Sequence, residues 1–229
     1  EALPSIAAVS RIEITSRAQG ADGAFALALE AGIAQPVRPA ALGRGTRVEV
    51  RDLFFATPAR LKFLKTERTE INHVLDAVRR LAMAYPEIGS TVTDERGTRL
   101  RLAPSDGDLL DARLARLAQV MGREFADNAL PVAAEREGLR LGGHAGVPTL
   151  NQAYARRQYL FVNGRPVRDP ILSGAVRGAY QDLLARYRHP MVALFLEVPA
   201  GELDVNVHPM KTEVRFRDAG LVRGLVVGA

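Results

Sequence analysis

Asp204-Val205-Asn206-Val207-His208-Pro209-Met210-Lys211-Thr212-Glu213-Val214-Arg215-Phe216 decides how this chain is read. Val205 and Val207 alternate with polar residues, and Val214 and Phe216 do the same on the far side. Alternation with period two is the mark of a half-buried strand pair. Pro209 has no N–H to give a central ladder, so the bend belongs there. Lys211 then stands at a fixed point on a rigid edge, from which one charge can be aimed.

The surrounding pattern is one of helices set between strands. Met191–Val198 is an apolar run of the length of a buried strand. Asp169-Pro170 caps a helix with Ile171, Leu172, Val176, Tyr180 and Leu183 on its face. Asn163-Gly164 predicts a two-residue hairpin joining strands at 158–162 and 165–167. Another strand is expected at 139–145. Before it lies a helix with Leu110, Leu114, Leu117 and Met121 on one face and Gly122 as its stop. Ala103-Pro104-Ser105-Asp106-Gly107-Asp108 is the best boundary, giving domains at 1–103 and 104–229. In the first, strands are expected at 9–17, 24–30 and 46–54, a helix start at Thr57-Pro58, and a hairpin over 89–102. A long helix over 67–85 carries Ile71, Val74, Leu75, Val78, Leu81 and Ala82 at helical spacing. An amphipathic segment, 219–228, closes the chain. Two units with helices packed on mixed sheets make the class α+β.

The bulk properties bound the function. The 229 residues are enough for two domains with cores, and 47% hydrophobic with 25% charged residues is an ordinary globular balance. No apolar run is long enough to cross a bilayer, which points away from a membrane partner, and the absence of cysteine fits a cytoplasmic location. There is no cysteine, so disulfides and thiolate metal sites are excluded. His73, His144, His189 and His208 are scattered without H-x-x-x-H spacing, so no metal-ligating residues are predicted. Lys+Arg minus Asp+Glu is 31 − 26 = +5, and a basic balance suits an anionic partner, nucleic acid first. Glu1 is not a methionine and the pattern starts midway, so the chain is expected to be a piece of something longer.

No phosphate-binding G-x-x-x-x-G-K-[ST] loop, dinucleotide G-x-G-x-x-G or G-x-S-x-G elbow is present. The chemistry-bearing stretch is basic and aromatic, Phe54-Phe55-Ala56-Thr57-Pro58-Ala59-Arg60-Leu61-Lys62-Phe63-Leu64-Lys65-Thr66-Glu67-Arg68. Arg60, Lys62, Lys65 and Arg68 crowd a helix start, a pattern suited to phosphate contacts. The plainer alternative is a solvated helix end, with Phe54, Phe55 and Phe63 as core. Arg165 and Arg168 add positive charge at the Asn-Gly hairpin.

These residues carry a resemblance. Gly45-Thr46-x-Val48-x-Val50-x-Asp52-Leu53-Phe54-Phe55-x-Thr57-Pro58-Ala59-Arg60-x-Lys62-Phe63-Leu64 resembles the G-T-x-V-x-V-x-D-L-F-x-N-T-P-A-R-x-K-F-L signature of the MutL family of DNA mismatch-repair proteins. Tyr159-x-Phe161-Val162-Asn163-Gly164-Arg165 and the stretch from Asp204 to Phe216 are similar to two more of its signatures. Glu1-Ala2-Leu3-x-Ser5-Ile6 resembles the segment that follows the family's G-F-R-G lid motif.

The resemblance implies a partial GHKL (Bergerat) ATPase sandwich over 1–103, followed by a domain like domain 2 of ribosomal protein S5 over 104–229. It implies a catalytic role for Lys211, as the lysine that reaches across the domain interface to the γ-phosphate of ATP, and an adenine-pocket place for Thr46. It implies DNA contacts for Lys62 and Lys65, with Arg60, Arg68, Arg165 and Arg168 as weaker candidates. The intact protein would use ATP and Mg, dimerise with itself, bind DNA mainly through phosphates, and relay mismatch recognition from MutS to a downstream endonuclease or helicase. Ala56 stands where the family often has asparagine, and Pro170 where a member can carry a DNA-contacting arginine. The family's general-base glutamate, magnesium-binding asparagine, adenine-reading aspartate and lid precede the position of Glu1. The chain alone is therefore expected neither to hydrolyse ATP nor to hold ATP and Mg stably. The alternative is a non-catalytic nucleic-acid-binding module that works by surface charge.

Overall fold

The computed structural model describes residues 2–107, 109–205 and 213–229, with backbone alone at 109 and 110. The chain forms two compact units, 1–70 and 71–229.

In the first unit, helix α1 (Ala2–Ala7) leads into strands β1 (Arg11–Arg17), β2 (Ala24–Glu30), β3 (Ile33–Ala34), β4 (Arg38–Ala40) and β5 (Gly45–Arg51), then the short helix α2 (Pro58–Leu61). The sheet runs β3-β2-β1-β5, with β4 also paired to β2 and every pairing antiparallel. The register aligns Ile12 with Leu29 and Val50, and Ile14 with Leu27 and Val48. Arg11, Glu13 and Thr15 point to the opposite face. The expected strand 46–54 stops at Arg51, because Asp52 and Phe54 take positive φ of 52° and 70° and turn the chain.

The second unit begins inside helix α3 (Glu67–Ala84). The hairpin β6 (Ser90–Asp94) and β7 (Gly97–Leu102) follows, then helices α4 (Leu109–Met121) and α5 (Arg123–Asp127). Strands β8 (Ala129–Arg136) and β9 (Leu139–Gly146) are followed by β10 (Asn151–Gln152), β11 (Gln158–Val162) and β12 (Arg165–Val167). Helix α6 (Pro170–Ala179), strands β13 (His189–Pro190), β14 (Val192–Glu197), β15 (Leu203–Asp204) and β16 (Arg215–Phe216), and helix α7 (Ala219–Gly228) complete it. The main sheet has the order β12-β11-β14-β9-β8, with β11 parallel to β14.

Alternation along the two central strands builds both halves of the core. Leu160, Val162, Val192, Leu194 and Leu196 face a cluster with Leu172 and Val176 of α6 and Val222, Leu225 and Val226 of α7. Tyr159, Phe161, Ala193 and Phe195 face the other way, onto Met83, Leu117, Met121 and Phe125. The Phe161 and Phe195 rings stack at 4.5 Å between centroids. A sheet covered on both sides needs apolar residues at every position of its central strands, which is why these strands read as unbroken apolar runs.

Three expectations are corrected. Strand β8 was missed: Pro131 argues against a central strand, and β8 is an edge strand paired only with β9, where a proline is tolerated. Helix α6 ends at Ala179, so Leu183 leaves its face and is 60% exposed. On α3, Val74 and Leu81 point outward while Leu75, Ala82 and Met83 are buried, so the apolar stripe is narrower than the spacing suggested.

Candidate nucleotide and nucleic-acid site

Thr46 lies on β5 directly across from Ser16 of β1, and their hydroxyls are 2.8 Å apart. Either oxygen can donate, so an exposed pair that can both give and accept hydrogen bonds sits at this end of the sheet. That suits the polar edge of a base. Among the described residues, no cluster of His, Asp or Glu could hold a metal ion.

Lys211 and the expected bend at Pro209 lie outside the described residues. The chain on either side is in place. Leu203 pairs with Phe216 and Asp204 with Arg215 in an antiparallel ladder. Val214 and Phe216 are buried in the sheet-and-helix core, which fixes the C-terminal arm of this connection.

The basic segment leaves β5 through a turn held from one side chain. Arg11 of β1 donates to Asp52 at 2.6 Å and to Glu30 at 3.0 Å, and its guanidinium lies 4.3 Å from the centre of the Phe55 ring. The hydrogen bonds to the two carboxylates hold the Arg11 pKa above its ordinary value. The Phe54 amide donates to the Val9 carbonyl at 2.7 Å, which fastens the residue with positive φ to the start of β1. Sequence reasoning did not find Arg11. Its partners are 19 and 41 residues away, and no local pattern marks it.

Beyond this turn, Thr57 precedes Pro58 at the helix start as expected, but its side chain makes no capping hydrogen bond. Arg60, Lys62, Lys65 and Arg68 are all exposed and share one stretch of chain, and among the described residues none of these side chains is ion-paired. Phe63, core in the plainer alternative, is 77% exposed, whereas Phe54 and Phe55 are half-buried. The Lys65 amide donates to Glu70 at 2.8 Å, which ties the segment to the first turn of α3.

In the second unit, Asn163 and Gly164 take φ of 48° and 74° and make the predicted tight hairpin. The Asn163 side chain also exchanges two hydrogen bonds with the Val198 backbone, at 2.9 and 2.8 Å. Arg165 on β12 is exposed. Arg168 is not a free cation: it donates to Asp76 at 2.9 Å, and Asp76 also accepts from Arg80 at 2.9 Å. Burial alone would raise the Asp76 carboxyl, but the two arginines outweigh it and hold its pKa below the ordinary value.

The model of the "DNA mismatch repair protein, C-terminal domain" family matches residues 117–229. "DNA mismatch repair protein MutL" of Rhodospirillum rubrum is 59% identical over 229 residues, covering all of this chain and 36% of that protein. The Paramagnetospirillum magneticum protein of the same name is also 59% identical over 229 residues, with 38% of it covered. The chain thus spans little more than a third of the length of these curated relatives. The structure of the Aquifex aeolicus MutL ATPase domain, complexed with ADP, is similar with a TM-score of 0.70 at 28% identity, over 98% of this chain and 75% of that one. The B-subunit of DNA gyrase from Myxococcus xanthus shares the fold at a TM-score of 0.56 and 17% identity, over 97% of this chain and 66% of that one. The mixed α/β fold is accordingly that of the GHKL ATPase region with its S5-like partner domain. Matches along the whole of this chain at this identity, together with the family model and the MutL fold, place the chain by descent: it belongs to the MutL family of DNA mismatch-repair proteins.

Proposed function

We propose that this chain is the part of a mismatch-repair ATPase that joins nucleotide state to DNA contact. Residues 1–103 would belong to the ATPase domain and residues 104–229 to the S5-like domain. Lys211 would place an ammonium on the γ-phosphate, where charge develops in phosphoryl transfer. The Thr46 hydroxyl, paired with Ser16, would border the adenine. ATP would supply the transferable phosphoryl group when bound. The intact protein would dimerise, act in the cytoplasm, and pass a mismatch signal from MutS to a nuclease or helicase.

The observation that carries the DNA part is the exposed, unpaired run Arg60, Lys62, Lys65 and Arg68, held in place behind by the Arg11 turn. Side chains of this kind read phosphates and carry no sequence code, so duplex binding should show little sequence preference. The Asp76 ion pair makes Arg168 a weaker contributor than Arg165. Charge reversal of Lys62 and Lys65 tests the reading. Duplex affinity at low salt should fall about tenfold or more, and the slope of log affinity against log salt should flatten by roughly two phosphate contacts. Unchanged affinity would reduce the segment to a solvated helix end.

A further inference from the structure

A second aromatic and basic surface lies in the second unit, in two segments that the reading above does not use. Strands β10 and β13 pair with Asn151 across from Pro190 and Gln152 across from His189. Tyr154 follows β10 and Tyr187 precedes β13, so both lie in the chain that leaves the same end of this antiparallel ladder. Both rings stand in solvent, Tyr154 at 69% and Tyr187 at 85% exposed. Around them are the exposed Arg156, Arg157, Arg186 and Arg188. Residues 138–168 contain no Asp or Glu, and neither do residues 183–196.

The surface is rigidly presented. Arg188 hydrogen-bonds the Asn151 side chain through Nε and the Asn151 carbonyl through Nη2 at 3.2 Å. Arg157 donates to the Met121 carbonyl at 2.8 Å, and the Arg156 guanidinium lies 5.4 Å from the Tyr154 ring centre.

Tyr187 is the telling residue. The Arg188 amide donates to the Ala185 carbonyl at 3.1 Å, closing a four-residue turn. Tyr187 is the third residue of that turn, with φ of 65°, and Arg186 before it does not share the positive φ. A type II turn asks for this conformation at this place, and glycine or asparagine satisfies it best. A tyrosine here is strained, and its ring gains no burial in return. Backbone strain of this kind is a pointer to function.

We infer that the β10–β13 edge is a binding site for single-stranded nucleic acid, with bases stacking on Tyr187 and Tyr154 and phosphates held by Arg156, Arg186 and Arg188. Exposed rings flanked by guanidinium groups form the usual stacking platform for unpaired bases, and a duplex offers no free base face to it. The site is separate from the Lys62 and Lys65 segment and does not rest on that assignment.

Anisotropy of labelled oligothymidylate on the 229-residue chain tests it. Tyr187→Gly should weaken binding about 5- to 150-fold, while the melting temperature stays level or rises because the strained residue is gone. Tyr187→Phe, which keeps the ring, should bind like the parent. Arg186→Ala with Arg188→Ala should weaken binding and flatten the salt slope. The chain has no tryptophan, so tyrosine emission should be quenched by oligothymidylate in the parent and less so in Tyr187→Gly. Parental affinity in both the Tyr187→Gly and the double arginine variants would overturn the site. So would equal losses for Tyr187→Phe and Tyr187→Gly, or displacement of oligothymidylate by polyglutamate at matched charge, which would assign the surface to an acidic protein. If Lys62 and Lys65 reversal alone abolishes oligothymidylate binding, the inference fails and the duplex reading stands.

Discussion

At the scale of single residues, Gly143 is the least replaceable of the glycines. Its φ is 134°, and a Cβ built there would meet the Ala193 carbonyl oxygen at 2.2 Å and the Leu194 Cα at 3.0 Å. Both obstacles are backbone in a central strand, so neither can step aside. Gly143→Ala should cost about 4 kcal/mol or more, or abolish folding, as read by urea denaturation. Its neighbour His144 is buried, with Nδ1 unpartnered among the described residues, and burial lowers its pKa. A lowered histidine pKa means that the unfolded chain takes up a proton that the native state refuses. The stability is therefore intact above an unfolded pKa of about 6.5 and is lost as pH falls below it, down to the native pKa. His144→Leu should flatten the drop in urea midpoint between about pH 7 and pH 5. An equal drop in the parent and the variant would exonerate His144.

At the scale of elements, α4 is attached by a buried charged residue as well as by its apolar face. Arg116 is fully buried and donates to the carbonyls of Pro86 and Ile88 at 2.6 and 2.8 Å, closing the connection between α3 and β6. Arg116→Ala should cost about 3 kcal/mol, since two carbonyls lose their donor and a cavity opens. Arg116→Met refills the volume without donating and should cost less, about 1–2 kcal/mol; equal costs would show that the hydrogen bonds matter and the volume does not. This contrast shows what the sequence could reveal. Helix α6 was legible because its start is local: Asp169 accepts from the Leu172 amide at 2.9 Å, and Pro170 follows. The Asn163-Gly164 hairpin was legible for the same reason. Arg116 and Arg11 were not, because each owes its role to chain far away in sequence; strand β8 pairs with its sequence neighbour β9 and was hidden by Pro131. Lys62 and Lys65 stood out as part of a basic cluster at a helix start, whereas Thr46 came to notice through resemblance to a family.

At the scale of the whole molecule, the two units differ in how much they bury. Among the described residues of the first unit, the buried apolar residues are Ala7, Ile12, Ala24 and Ala26. Val48 and Val50, on the apolar side of its sheet, are 47% and 44% exposed. The second unit encloses its sheet between two apolar clusters. Burial sets local opening energies, so amides of β1 and β2 should lose exchange protection at lower denaturant than those of β11 and β14. Coincident loss of protection would mean that the chain unfolds as one cooperative block.

The Arg11 turn gives the first unit a further property. Side chains on a strand change sides with every residue, so a one-residue slip of β1 against β5 would swing Arg11 to the opposite face. Asp52 and the Phe55 ring would lose their common partner, and the turn from which the basic run departs would be released. The sheet therefore acts as a gauge: the spacing of its hydrogen-bonded pairs determines where the cationic stretch leaves the fold. Insertions or deletions in the β1–β2 loop that preserve this register should leave the stretch in place, whereas a single residue added within β1 itself would unmoor it.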